Sequence, residues 1–127
     1  MKKQNVLITG ASSGIGASTV KTLCGAGHNV IGFARRVDKL TKLSKECENL
    51  KGQFFFFEGD VKVDTDIDMA LDYLIEKFGD LDVVIPNAGL GHFNPLDEGS
   101  MDEWRSMIDV NVTGVLKTIH ACLPHLK

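Results

Sequence analysis

The sequence is short of several things, and each shortage closes off a class of function. No run of 18 apolar residues occurs, so nothing in it reads as a membrane-spanning helix. The start, MKKQNVLITGASSG, has a basic pair but too few apolar residues before Gly10 for a signal-peptide core. There is no basic excess: net charge is -3, which speaks against nucleic acid as a partner, and no block of like charges suggests a tail. The three cysteines, Cys24, Cys47 and Cys122, are far apart, with no CxxC and no Cys/His cluster. That spacing argues against a zinc site, and an odd count fits reduced thiols, so no metal and a cytoplasmic location are expected. Tyrosine occurs once, as Tyr73, and tryptophan once, as Trp104.

What is present is ordinary for a folded domain. The 127 residues are 43% hydrophobic and 24% charged. A chain of this length buries roughly two-thirds of its unfolded surface, and one domain over 1–127 is the natural expectation. Two kinds of segment alternate. VLIT (6–9), NVIGFA (29–34), QFFFFE (53–58) and DVVIP (82–86) are apolar runs without polar alternation, the pattern of parallel strands buried on both faces. Between them lie amphipathic helical patterns. Leu40, Leu43, Cys47 and Leu50 form one stripe, and Ile67, Leu71, Leu74 and Phe78 a second. Trp104, Ile108, Val115, Ile119 and Cys122 form a third in a helix over 101–123. Ser100 with Glu103 starts that helix as a capping box, and Gly27 and Gly79 sit where helices end. The order β-α-β-α-β-α-β-α predicts a doubly wound, Rossmann-type α/β fold with a parallel sheet and right-handed crossovers.

TGASSGIG (9–16) follows the first strand and opens the first helix. Its glycines, Gly10, Gly14 and Gly16, permit a tight turn, close approach of a pyrophosphate and close packing of helix on strand. The helix N-terminus then faces the phosphates, so Gly10, Ser12, Ser13, Gly14, Ile15 and Gly16 are candidate cofactor-binding residues. A tight βα turn without a ligand would use the same glycines. At the end of the second strand, where NAD binders place an acid for the ribose 2′-hydroxyl, stand Ala34, Arg35 and Arg36. Guanidinium groups suit a 2′-phosphate, which favours NADP over NAD. The alternative is that both arginines are solvated residues of a helix start. No GK[ST] follows the glycines, so phosphoryl transfer is not indicated, and the acid cluster of a receiver fold is missing.

The TGxxxGxG spacing, Asp60-Val61 after the third strand, Asn87-Ala88-Gly89 after the fourth and Asn111 within NVTG together resemble the classical short-chain dehydrogenase/reductase family, along the whole chain and in order. The resemblance implies a sheet in the order 3-2-1-4, the first four of the family's seven strands. The chain is then a C-terminally truncated, cofactor-binding portion of a NADP-dependent oxidoreductase. Such an enzyme passes hydride between nicotinamide and a small-molecule carbonyl or alcohol. It implies that Asp60 and Val61 hold the adenine, that Asn87, Ala88 and Gly89 border the adenosine ribose, and that Asn111 belongs to an Asn-Ser-Tyr-Lys catalytic tetrad. Pro86 departs from the usual NNAG, and a strand-end hydrogen bond is expected to be lost there.

Asn111 also stands out by position, because the pattern puts it on the apolar stripe of its helix, where an amide needs partners. It reads as a water-holding or helix-bending residue, or as a satisfied core asparagine. Gly114 in mid-helix costs about 1 kcal/mol against alanine, which points to a close neighbour or ligand. YLIEK (73–77) has the family's YxxxK spacing but precedes the fourth strand. Tyr73 lies roughly 130° and Lys77 roughly 90° from the centre of the stripe on their helix, which places both off the face that packs on the sheet. The family's serine, tyrosine and lysine are thus not found in this sequence, and this chain is expected to be inactive. A non-catalytic nucleotide-binding module and an interaction fragment are the competing functions. His92, Phe93 and Asn94 could border a substrate or form a plain surface loop. An open strand edge and the apolar last helix predict a homo-oligomer.

Overall fold

The structure, a computed structural model, describes residues 2–90 and 96–126. His92, Phe93 and Asn94 lie outside the described residues. Four parallel strands, β1 (Asn5–Thr9), β2 (Asn29–Ala34), β3 (Phe54–Glu58) and β4 (Val83–Pro86), form one sheet in the order β3-β2-β1-β4. Register runs Leu7 to Ile31 and Val84 on either side of β1, and Ile31 to Phe55 across β2. The order is the expected one. Successive residues of the central strands point to opposite faces, and each face has its own core. Val6, Ile8 and Val30 pack with Val20 and Cys24 of α1 (Gly14–Gly25) and with Leu40, Leu43 and Cys47 of α2 (Val37–Cys47). Leu7, Ile31 and Phe33 pack with Ile67, Leu71 and Leu74 of α3 (Asp64–Phe78) and with Cys122. Helices on both faces of a parallel sheet are what uniformly apolar strands require.

The expectation of strands buried on both faces holds for the middle of the sheet and fails at its edges. All six residues of β2 are buried, but Phe54 to Phe57 and Val83 to Pro86 are half-buried, because β3 and β4 each have a neighbour on one side only. The aromatic run is covered from outside its strand. Tyr73 packs edge-on against Phe55 and tilted against Phe57, and the Lys77 ammonium sits 5.0 Å from the Phe55 ring centre. Tyr73 is therefore half-buried against β3, not on an outer helical face as the wheel implied. A cation over an aromatic face is an attractive placement for a lysine at a helix end.

The last helical stretch corrects the sequence reading more strongly. It is not one α-helix: α4 (Met101–Ile108) runs into a wide π-helical stretch (Asp109–Gly114), then α5 (Val115–Cys122) and a short 3₁₀ turn. The widened stretch moves the buried face. Val110, Gly114, Thr118 and Cys122 face inward, whereas Ile108, predicted on the inner stripe, is 55% exposed. Asn111 is likewise exposed rather than on the apolar face. Ser100 caps α4 as expected, its Oγ accepting from the Glu103 N–H at 3.4 Å. The three thiols are free and buried. Burial pushes Cys24 up to about 12 and Cys122 up to about 11, so neither is a ready nucleophile at neutral pH.

Two contacts set where the carboxyl ends of the strands lie. Thr9 is buried at the end of β1, and its Oγ1 accepts from the Asn87 and Ala88 N–H groups, each at 3.0 Å. Pro86 pairs with Thr9 in the ladder without a donor of its own, and the side-chain hydroxyl takes the next two donors instead. The bond expected to be missing at Pro86 is thus replaced within one residue. At the other contact, a Cβ on Gly114 would lie 2.7 Å from Val61 Cγ2 and 3.2 Å from the Asp109 carbonyl oxygen, so the helix approaches the loop after β3 as closely as glycine allows. Lys117 braces the same loop, donating to the Lys62 carbonyl and pairing with Asp64.

Thr9→Val keeps the shape and leaves two N–H groups without their acceptor; a loss of roughly 2–4 kcal/mol is expected, with Thr9→Ser close to the parent. Urea denaturation measures both, and a valine variant as stable as the parent would refute the clamp. Gly114→Ala should gain about 1 kcal/mol of helix propensity but lose more to overpacking against Val61. Thermal denaturation should show a net fall of a few degrees, substantially recovered when Val61→Ala is added; a raised midpoint in the single variant would be the contrary result.

Candidate functional site

A cleft of about 440 Å³ opens at the carboxyl ends of the strands. Its floor is built by close backbone approach. A Cβ on Gly10 would lie 2.8 Å from the Ala88 Cα, and one on Gly16 would lie 2.0 Å from the Gly10 carbonyl oxygen. Both positions therefore require glycine, and Gly10 also has φ +67°. Gly14, with φ +58°, has nothing within 4 Å of its Cβ position: the loop is tight beneath and open above. The Asn87 amide donates to the Gly10 carbonyl at 3.2 Å, and the Ala11 N–H donates to the Phe33 carbonyl at 3.3 Å. The glycine loop is thereby tied to β4 on one side and β2 on the other.

Most of the residues singled out in the sequence meet here. Gly10, Ser12, Ser13 and Ile15 line the cleft from the loop, Arg35 and Arg36 from the end of β2, Asp60 and Val61 from the end of β3, and Asn87, Ala88 and Gly89 from the end of β4. Three of them do not line it. Gly14 is exposed at the start of α1, Gly16 is buried beneath the loop, and Asn111 stands one shell away. The Asn111 amide makes a paired contact with one residue: its Oδ1 accepts from the Leu90 N–H at 2.8 Å and its Nδ2 donates to the Leu90 carbonyl at 2.7 Å. It holds the loop after β4 from the π-helical stretch, and Leu90 itself lines the cleft.

Phe33, Lys39, Gly59 and Val110 are among the lining residues that the sequence reading did not single out. Lys39 stands one turn into α2, three residues after Arg36, and that i, i+3 spacing of cations is the local signal that could have found it. Val110 enters because the π-helical stretch turns it inward, and nothing local signals that. Thr9 lies under the cleft and reads in sequence as one more strand residue.

The electrostatics are lopsided. Among the described lining residues, Arg35, Arg36 and Lys39 are cationic and Asp60 is the one carboxylate. Asp60 is built into its own turn, its Oδ1 accepting from the Lys62 N–H and its N–H donating to Asp66, both at 2.9 Å. Asp38, the acid next to the arginines, is turned to Arg36 at 3.4 Å, and the hydrogen bond from that guanidinium holds its carboxyl below the usual range. Tyr73 and Lys77 are not at the cleft; they cover β3. Among the described residues no helix is long and apolar enough to cross a membrane, and no group of three or more His, Cys, Asp or Glu could hold a metal ion.

This architecture has many counterparts. A family model described as short chain dehydrogenase matches residues 4–127. An uncharacterized oxidoreductase of Listeria monocytogenes is 39% identical over 124 residues, 98% of this chain and 50% of that protein. Serine 3-dehydrogenase of Agrobacterium fabrum is 36% identical over 123 residues, 95% of this chain and 48% of that enzyme. In structure, an alcohol dehydrogenase from the archaeon Thermococcus sibiricus, complexed with 5-hydroxy-NADP, superposes with a TM-score of 0.92 at 37% identity, covering 98% of this chain and 53% of that one. The chain spans about half the length of the curated relatives it matches. With the model matched over nearly every residue and the sheet order, glycine loop and strand-end residues in place, the chain belongs to the short-chain dehydrogenase family.

Proposed function

We propose that this chain is the cofactor-binding portion of a NADP-dependent oxidoreductase that moves hydride between nicotinamide and a carbonyl or alcohol. The observation that carries the cofactor choice is the charge inventory of the cleft. A ribose 2′-hydroxyl is read by an acid at the end of β2, and a 2′-phosphate by cations. Three cations line the cleft around that position, and the nearby acid, Asp38, faces Arg36. Arg35 is in no ion pair among the described residues, so its guanidinium is available for a bidentate phosphate contact. The complex of the Thermococcus sibiricus relative with 5-hydroxy-NADP supports the same reading.

The residues fit the group. The open space above Gly14 and the N-terminus of α1 suit the pyrophosphate, as do the Ser12 and Ser13 positions. Asp60 keeps one oxygen outside its turn for an adenine amine, with the Val61 backbone beside it. Asn87, Ala88 and Gly89 border the adenosine ribose. Asn111 acts through Leu90 on the rim of the cleft. When bound, a nicotinamide cofactor supplies or accepts the hydride. This chain's side chains bind and orient it, and among the described lining residues there is no tyrosine to deliver a proton to a new alkoxide.

Isothermal calorimetry on the full chain should therefore show tighter binding of NADPH than of NADH. Arg35→Ala should weaken NADPH about tenfold and leave NADH nearly unchanged. Equal losses for both would overturn the NADP assignment. The same preparation should not consume NADPH with any carbonyl.

The chain also presents apolar surface. Ile108, Val112 and Leu116, each more than half exposed, recur every four residues across the last helical stretch, and β4 is an unpaired sheet edge. Burial of that surface against a second copy is the reading it supports, a homodimer or larger. Light scattering should give at least twice the chain mass at micromolar concentration, and Leu116→Glu should shift it toward monomer; a compact parent monomer that binds no hydrophobic dye is the opposing result.

A further inference from the structure

We propose that Lys39 is a specificity-determining residue of the cleft: Lys39 and Arg35 together grip the 2′-phosphate, while Arg36 is engaged by Asp38. The inference rests on the NADP reading and assigns its charges. A 2′-phosphate carries nearly two negative charges, more than one guanidinium balances. The three cations around its expected position are not equivalent. Arg36 is the N-cap residue of α2, and its Nη2 lies 3.4 Å from Asp38 Oδ2, with both side chains more than half exposed. Such a pair is weak, but it gives Arg36 a carboxylate partner that Arg35 and Lys39 lack among the described residues. Arg35 and Lys39 enter no ion pair among the described residues.

Lys39 is also the odd lysine of its helix. Lys42 and Lys45, further along α2, are exposed and do not line the cleft, whereas Lys39 is half-buried and does. Its place is unfavourable for a cation by itself. The first turn of a helix carries partial positive charge and favours anions; the acid there, Asp38, is turned to Arg36, and Lys39 in the same turn has no ion-pair partner among the described residues. An anion held between Arg35 and Lys39 reverses that sign and removes the penalty. The lysine supplies a point charge reaching from the helix, and the arginine a planar fork from the strand end, so the phosphate is held from two directions.

The test is calorimetric titration of the full chain with NADPH and with NADH, for the parent, Lys39→Met, Lys39→Arg and Arg35→Met. Methionine keeps length and helix propensity, so the fold is retained, which the thermal midpoint verifies. Lys39→Met should weaken NADPH about five- to tenfold and NADH less than twofold, and Lys39→Arg should keep the preference. If Arg35→Met selectively weakens NADPH while Lys39→Met does not, the Lys39 assignment is wrong and the NADP reading stands. If neither variant changes the NADPH-to-NADH ratio, or the parent binds no NADPH, both are wrong.

Discussion

One buried hydroxyl joins the ends of β1 and β4, two of the four strands whose carboxyl ends border the cleft. Thr9 ends β1, and its oxygen takes the first two N–H groups beyond β4. Those half-buried donors would otherwise lack this acceptor, and Pro86 ends the ladder without an N–H of its own. With the two ends clamped, Gly10 meets Ala88 at a separation that leaves no room for a side chain, and Gly16 closes under Gly10. The open volume above the loop exists because the backbone beneath it is packed as tightly as it can be.

The second support comes from the far side. The π-helical stretch of the last helix points Asn111 at Leu90 and turns Val110 and Gly114 inward, so a single widened turn secures the loop after β4 and presses on the loop after β3. A π-turn costs regular hydrogen-bond geometry and persists where tertiary contacts favour it, which is often at functional sites. Here those contacts are the paired amide and the Val61 approach. The pattern of cations adds the chemistry to this frame: Arg35, Arg36 and Lys39 collect at one end of the cleft, and Asp60 stands at the end of the neighbouring strand.

The single tyrosine shows why motif spacing without position misleads. Tyr73 and Lys77 have the separation of a catalytic pair, yet Tyr73 packs edge-on to Phe55 and tilted to Phe57, and Lys77 lies over the Phe55 and Tyr73 rings at the edge of the sheet. The four phenylalanines explain them: an edge strand so aromatic needs cover on its open side, and α3 supplies a ring and a cation. The chemistry of a phenol beside an ammonium depends on where the pair stands, and here it stands against the core.

The order of elements, the parallel sheet and the residues of the glycine loop were legible from the sequence alone. Apolar runs without alternation admit one kind of strand, and a glycine triplet between strand and helix admits few turns. The strand-end residues were legible too: Arg35 by its charge where NAD binders carry an acid, and Asp60 and Asn87 through the family resemblance. The helix over 101–123 was misread because a 3.6-residue period was carried through a stretch that does not keep it. The wide stretch shifts the phase of the helix where it occurs, so Asn111 stands outward and Val110 and Gly114 inward, and Ile108 just before it is exposed as well. Thr9 and Lys39 were hidden for a related reason: a hydroxyl in a strand and a lysine on a helix are unremarkable locally. Only the tertiary structure places two donors over the one and a cleft beside the other, since the partners that give them meaning are distant in the chain.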